Sequence, residues 1–117
     1  MEKLSAIAAL SALAQESRMD AFRRLMRRGA EGMAAGEIAR ALGVPHNTMS
    51  AHLAILANAG LVTSRRMGRS VVYAVDFGRV RGLLAFLMED CCRGKPEDCA
   101  PLIARVLPQC CVQERRA

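Results

Sequence analysis

The sequence has no apolar run long enough to span a bilayer, which takes ~18 or more consecutive residues. Its longest candidate, residues 4–14, is shorter and carries Ser5 and Ser11. It does not open like a secretory signal either: Met1-Glu2-Lys3 is only weakly basic, and the apolar run continues into helix-like sequence. The expectation is a soluble, cytosolic protein with no membrane partner. No internal repeat or low-complexity linker breaks the chain, and 117 residues suffice for one core but not for two. Cysteine is missing from the first 90 residues, and histidine from everything after His52. No Ser/His/Asp set, carboxylate pair or phosphate-binding glycine loop is present, so the chain reads as a non-enzyme without a permanent cofactor.

What is abundant is positive charge. Seventeen lysines and arginines against eleven acids leave a formal charge of +6, which makes nucleic acid the first candidate partner. The charge is concentrated: residues 61–81 hold Arg65, Arg66, Arg69, Arg79 and Arg81 against the single acid Asp76. From Gly82 onward five basic residues balance five acids, and there all five cysteines lie: Cys91, Cys92, Cys99, Cys110 and Cys111. An odd, clustered set of thiols in a cytosolic chain suggests metal binding or redox chemistry, because the cytosol disfavours disulfide frameworks. Charge and thiols occupy different segments, as expected for two separate binding tasks.

Periodicity supplies the elements. Leu4, Ile7, Leu10 and Leu13 among alanines predict a first helix with almost no polar face, one that must be buried or shared with a partner. Ser17-Arg18-Met19-Asp20 fits a capping box, followed by a stripe of Met19, Phe22, Leu25 and Met26 and a stop at Gly29. Arg23, Arg24, Arg27 and Arg28 read as the solvated face of that second helix. A short helix from Ala35 to Leu42, ended by Gly43, precedes a turn fixed by Pro45 and a helix from about His46 to Ala59. Met49, Leu53 and Leu56 face one side of this helix; Asn47, Ser50, Ala51 and Ala54 form a small, polar outer side. That is a helix-turn-helix. Residues 61–66 and 69–75, around a turn at Met67-Gly68, predict a hairpin with arginines near its tip. A last long helix starts near Phe77 and runs to Asp90 or Cys92. Its stripe of Val80, Leu83, Leu84, Leu87 and Met88, widened by Phe86, exceeds one core contact, and the excess is assigned to a dimer interface with the first helix. Gly94-Lys95-Pro96 then breaks the helix, and residues 97–107 suit a short final one. The fold class is mainly α (α+β): a winged helix-turn-helix with a two-stranded wing, dimerising through its N- and C-terminal helices. Residues 1–92 form the DNA-binding and dimerisation domain, and 93–117 its cysteine-containing extension.

Ser50-x-His52-Leu53 followed by Leu56 and Ala59-Gly60-Leu61-Val62, with Gly68-Arg69-x-Val71-x-Tyr73 in the wing, resembles the ArsR/SmtB group of bacterial metalloregulators. The resemblance covers roughly residues 8–92. It implies a homodimeric repressor that leaves double-stranded operator DNA when a metal or metalloid binds. Asn47 and Ser50 suit base reading in the major groove, where small Ala51 and Ala54 permit close approach. Thr48, near the helix start, either holds a phosphate or caps the helix. His52 borders the core side by its angle, which suits a satisfied structural histidine, whereas the resemblance implies a phosphate contact for it. Arg69 at the wing tip is expected to meet phosphate or enter the minor groove. Pro45 departs from the Ser or Thr cap that many relatives carry.

The sensor site varies in position within the family. The Cys-x-Cys pair that many relatives place before the turn is missing, since Met33 to Ile38 contains no cysteine. Relatives that bind zinc on the dimer helix use histidines, and this chain has Asp76-Phe77-Gly78 with none after His52. There remain Cys91, Cys92 and Cys99, which resemble the thiol cluster of arsenic-responsive repressors. Three thiolates with no imidazole suit a soft ion such as trivalent arsenic or antimony, whereas a closed zinc site usually takes four ligands. A helix N-terminus would lower the Cys99 thiol pKa. Burial as small hydrophobes is the plain alternative for Cys91 and Cys92. Cys110 and Cys111 are extra ligands, a second weak site or part of a tail. Cys99-x5-Arg105 has the spacing of a cysteine phosphatase loop, but Pro101 removes a backbone donor and Leu102-Ile103 continue an apolar stripe. A thiol redox or reactive-sulfur sensor on the same scaffold is the nearest rival reading, and a thiol-based arsenate reductase a more distant one.

Overall fold

The computed structural model describes residues 1–89. Met1–Phe86 packs as one compact unit, built from α1 (Lys3–Leu13), α2 (Glu16–Arg28), β1 (Met33–Ala34), α3 (Ala35–Leu42), α4 (His46–Asn58), β2 (Val62–Met67) and β3 (Ser70–Val75). The final described helix, α5, spans Phe77–Met88. The extension expected from residue 93, the short helix expected at 97–107 and all five cysteines lie outside the described residues.

The helix-turn-helix forms where the sequence places it. Gly43 closes α3 in the left-handed conformation (φ 66°, ψ 33°), which glycine adopts without a Cβ penalty, and the Val44 amide bonds back to the Ala39 carbonyl at 3.0 Å. Pro45, extended at φ −56° and ψ 144°, then launches α4. One side of α4 buries Met49, Leu53 and Leu56 completely against Leu25 of α2 and Ile38 of α3, with Leu61 closing the same core. Among the described residues no polar or charged side chain is buried. Burial of this apolar set, at about 1.5–3 kcal/mol for each large side chain, drives the packing.

Four expectations need correction. The cap of α2 is Gln15, not Ser17: Gln15 is extended and its side-chain oxygen accepts from the Arg18 amide at 2.8 Å, so the helix starts before Ser17. The two-stranded wing extends into a three-stranded sheet that the sequence does not suggest, because Met33–Ala34 pairs antiparallel with Tyr73 and Val72 to give the order β1-β3-β2. Met67 pairs with Ser70, so the turn residues are Gly68 and Arg69 rather than Met67 and Gly68, with Gly68 at φ 63°.

The fourth correction concerns the long apolar faces. The α1 helix turns its alanines inward: Ala6, Ala9 and Ala12 are buried, while Leu4 is 71% and Ile7 53% exposed. Methyl-sized contacts let α1 lie close on its neighbours, and the larger side chains are left outside. In α5 the stripe divides in a similar way. Leu83 is buried in the core and Val80 and Phe86 pack against it, but Leu84 and Leu87 are more than half exposed. Leu83 is thus a core residue, not part of an outward dimer face. Likewise, Phe22 and Leu25 of α2 are buried, whereas Met19 and Met26 are exposed.

Candidate nucleic-acid interface

The outer side of α4 is open. Asn47, Thr48, Ala51 and Ala54 are exposed and Ser50 is half-buried. No side chain caps the helix, so the first-turn amides face outward at its positive end, an arrangement suited to phosphate. Beside α4 a cleft runs between α3 and the wing, lined by Arg40, His46, Ser50, Arg69, Tyr73 and neighbouring residues. The fold therefore brings Ser50 and Arg69 to one cleft although the sequence separates them. Arg40 and His46 join them there, and nothing in the sequence singles them out as site residues. Both the Arg40 guanidinium and the His46 ring would lie 3.5 Å from a Cβ placed on Gly36, one turn before Arg40.

The arginines of the wing divide by role. Arg69 and Arg66 are exposed on the hairpin. Arg65 instead donates to the carbonyl of Glu31 at 3.0 Å, tying β2 to the short 3-10 turn Gly29–Glu31. The arginines of α2 are only partly a free solvated face. Arg28 donates to the Gly32 carbonyl at 2.9 Å and pairs with Glu37 of α3, and the Arg24 Nε is enclosed without a partner among the described residues. The Arg28–Glu37 pair is about 40% exposed on both sides, so it adds ~0–1 kcal/mol at most.

His52 is half-buried and stands apart from the cleft. Its Nδ1 lies 3.3 Å from Arg18 of α2. The cysteines Cys91, Cys92 and Cys99 fall outside the described residues. Among the described residues no three His, Cys, Asp or Glu side chains are grouped as metal ligands, and no helix is long and apolar enough to cross a membrane.

Residues 13–65 match the family model described as "Helix-turn-helix domain". The ArsR-like transcriptional regulator of Rhodococcus sp. RHA1 superposes with a TM-score of 0.65 at 22% identity, over 88% of this chain and 93% of that one, which speaks for the fold. The crystal structure of a possible transcriptional regulatory protein of Mycobacterium bovis is 30% identical, with a TM-score of 0.57 over 71% of this chain and 89% of that one. In solution the same fragment is the homodimeric winged helix-turn-helix DNA-binding domain of a possible ArsR-family regulator. The chain belongs to the ArsR family. The antimony-specific transcriptional repressor AntR is 26% identical, with a TM-score of 0.56 over 69% of this chain and 72% of that one. No curated protein matches the chain by sequence. As an ArsR-family member the protein is a transcriptional regulator with a DNA-binding fold; α4 is its recognition helix and β2–β3 its wing.

Proposed function

We propose that the protein is a homodimeric repressor that leaves its operator when trivalent arsenic or antimony binds Cys91, Cys92 and Cys99. The observation that carries the metalloid reading is the donor set. Every cysteine follows residue 90, the first two lie three and four positions past the end of α5, and no histidine accompanies them. Sulfur donors without imidazole favour soft ions, and a trivalent pnictogen takes three sulfurs in a pyramid with its lone pair at the apex. The likeness to the antimony-specific AntR supports the same ligand class.

On the DNA side, Asn47 and Ser50 read base edges in the major groove, and Thr48 and the open amides of the first turn hold phosphate. His52 donates to phosphate from the flank of the helix, and Arg69 reaches backbone or minor groove from the wing. Two-fold readers need recognition helices ~34–36 Å apart. The exposed leucines and isoleucine of α1 and the outer leucines of α5 supply the apolar surface for pairing. Ligation at the end of α5 changes the pairing geometry, and a coupling of ~1–3 kcal/mol lowers operator affinity about 5- to 150-fold. The protein acts without catalysis and without a permanent cofactor.

Fluorescence anisotropy on operator DNA tests the reading, with free thiols counted in parallel. Arsenite should release the DNA under reducing conditions with loss of three thiols per chain. Release by peroxide or persulfide alone, with no response to arsenite, would assign the protein to thiol redox or reactive-sulfur sensing instead.

A further inference from the structure

Arg18 joins three helices. From α2, its Nε donates to the carbonyl of Ala12, in the last turn of α1, at 2.6 Å. Its NH1 lies 3.3 Å from Nδ1 of His52 on the recognition helix. Residues 18 and 52 are 34 apart in sequence, so only the folded chain brings them together.

The chemistry of the two groups fixes the direction of the second contact. A guanidinium has donors only and stays protonated. Nδ1 of His52 is therefore the acceptor. A ring that accepts at Nδ1 is neutral and carries its single proton on Nε2. The first contact is also specific in sense, because the final carbonyls of a helix lack intrahelical partners and sit at its negative end.

We propose that Arg18 is a positioning residue for operator binding: it holds His52 in the Nε2–H tautomer and moors the recognition helix to the last turn of α1. With Nδ1 occupied, the ring nitrogen left to meet DNA is a donor, the kind a phosphate oxygen requires. Because the ring is neutral, this contact adds a directed hydrogen bond without releasing a counterion. Mooring has a second effect. A planar fork that engages Ala12 and His52 together places α1, α2 and α4 in one rigid relationship, so a shift of α1 is felt at α4. The DNA consequence rests on the repressor reading above; the tautomer does not.

The experiment therefore has two arms. Ring-nitrogen NMR on the histidine-labelled free protein reads the tautomer without DNA. The wild type should show His52 protonated at Nε2 and bare at Nδ1, whereas Arg18→Met should mix the two tautomers. In the second arm, Arg18→Met and His52→Leu should each weaken operator binding about 3- to 10-fold, the worth of one ordinary hydrogen bond. The slope of affinity against salt should stay unchanged. The double variant should be no weaker than either single one, because both remove the same link. His52→Gln, which can accept from Arg18 and still donate, should keep most of the affinity. Sedimentation and circular dichroism on each variant separate this loss from unfolding or dissociation. A wild-type His52 protonated at Nδ1 would overturn the proposal, as would additive losses in the double variant. A protein with the expected tautomer that binds no duplex at all would refute the repressor reading and leave the Arg18–His52 lock in place.

Discussion

Gly32 lies so close to Tyr73 that a Cβ at Gly32 would stand 2.3 Å from the Tyr73 carbonyl oxygen. Gly32 also holds φ at 72°, a conformation L-residues rarely adopt. This approach lets Met33–Ala34 add to β3, and β3 carries the wing. Gly32→Ala combines a penalty of ~1–3 kcal/mol, for a φ/ψ region that only glycine adopts readily, with a clash against backbone that cannot move without the sheet. It should lower Tm well beyond the ~4–8 °C that each kcal/mol costs a domain of this size. Gly29→Ala is the control, since its φ is 66° but nothing lies within 4 Å of the added atom. Equal thermal shifts for the two variants would show that the Tyr73 approach costs nothing.

Much of the helix-turn-helix and wing is legible because glycines punctuate it. Gly43, Gly60 and Gly68 all adopt positive φ at the ends or turns the sequence suggests. The β1 strand is not legible: two residues carry no period, and their partners Tyr73 and Val72 are some forty positions away. Gln15 is obscured by Ser17, which offers a more familiar cap, and only backbone geometry shows which side chain reaches the Arg18 amide. The inward face of α1 is hidden for another reason. Alanine and leucine both score as apolar, and size complementarity with α2 and α4 decides which faces in. The cleft residues Arg40 and His46 come together through tertiary packing, so each looks like an ordinary surface residue in the sequence.

Arg69 and Asn47 should separate by kind of effect. Arg69→Ala should weaken binding to every duplex nearly equally and reduce the log–log salt slope by ~0.9 for each phosphate that is no longer neutralised. Asn47→Ala should instead relax preference at one base position, at a cost of about 1–3 kcal/mol. Titrations of a base-substituted operator series at several salt concentrations check both, and an altered base preference in Arg69→Ala would contradict its assignment.

The thiols divide by position. Cys91→Ser, Cys92→Ser and Cys99→Ser should each keep DNA binding and lose arsenite-driven release, because a neutral, hard hydroxyl does not replace a soft thiolate. The double change at Cys110 and Cys111 should leave release largely intact. Running the same series with methylarsenite, which has only two positions free for sulfur, identifies any one cysteine that a two-thiol ligand leaves unused. Full arsenite response in all three single variants would overturn the site.

Two neighbouring leucines offer a sharp contrast. Leu84 is 56% exposed and Leu83 only 5%. Leu84→Glu should therefore give a folded monomer with weakened operator affinity, while Leu83→Glu should unfold the unit by burying an unpaired charge. Sedimentation and far-ultraviolet circular dichroism distinguish the two outcomes, and a dimeric Leu84→Glu variant would move the pairing surface elsewhere.

The alanine seam beneath α1 bears on how the protein behaves when scarce. An eleven-residue helix is too short to stand alone in water, and its own subunit holds it through three buried methyl groups, part of Leu13 and the Arg18–Ala12 bond. Its larger apolar side chains, Leu4, Ile7 and Leu10, are exposed among the described residues. In the proposed homodimer, helix order and self-association would share one free energy, and apparent stability would rise with protein concentration. A dilute chain would then fray from its first residues and be open to proteases there, while a paired one would be closed. On that reading, the amount of protein in the cell would become part of what determines how long each copy lasts.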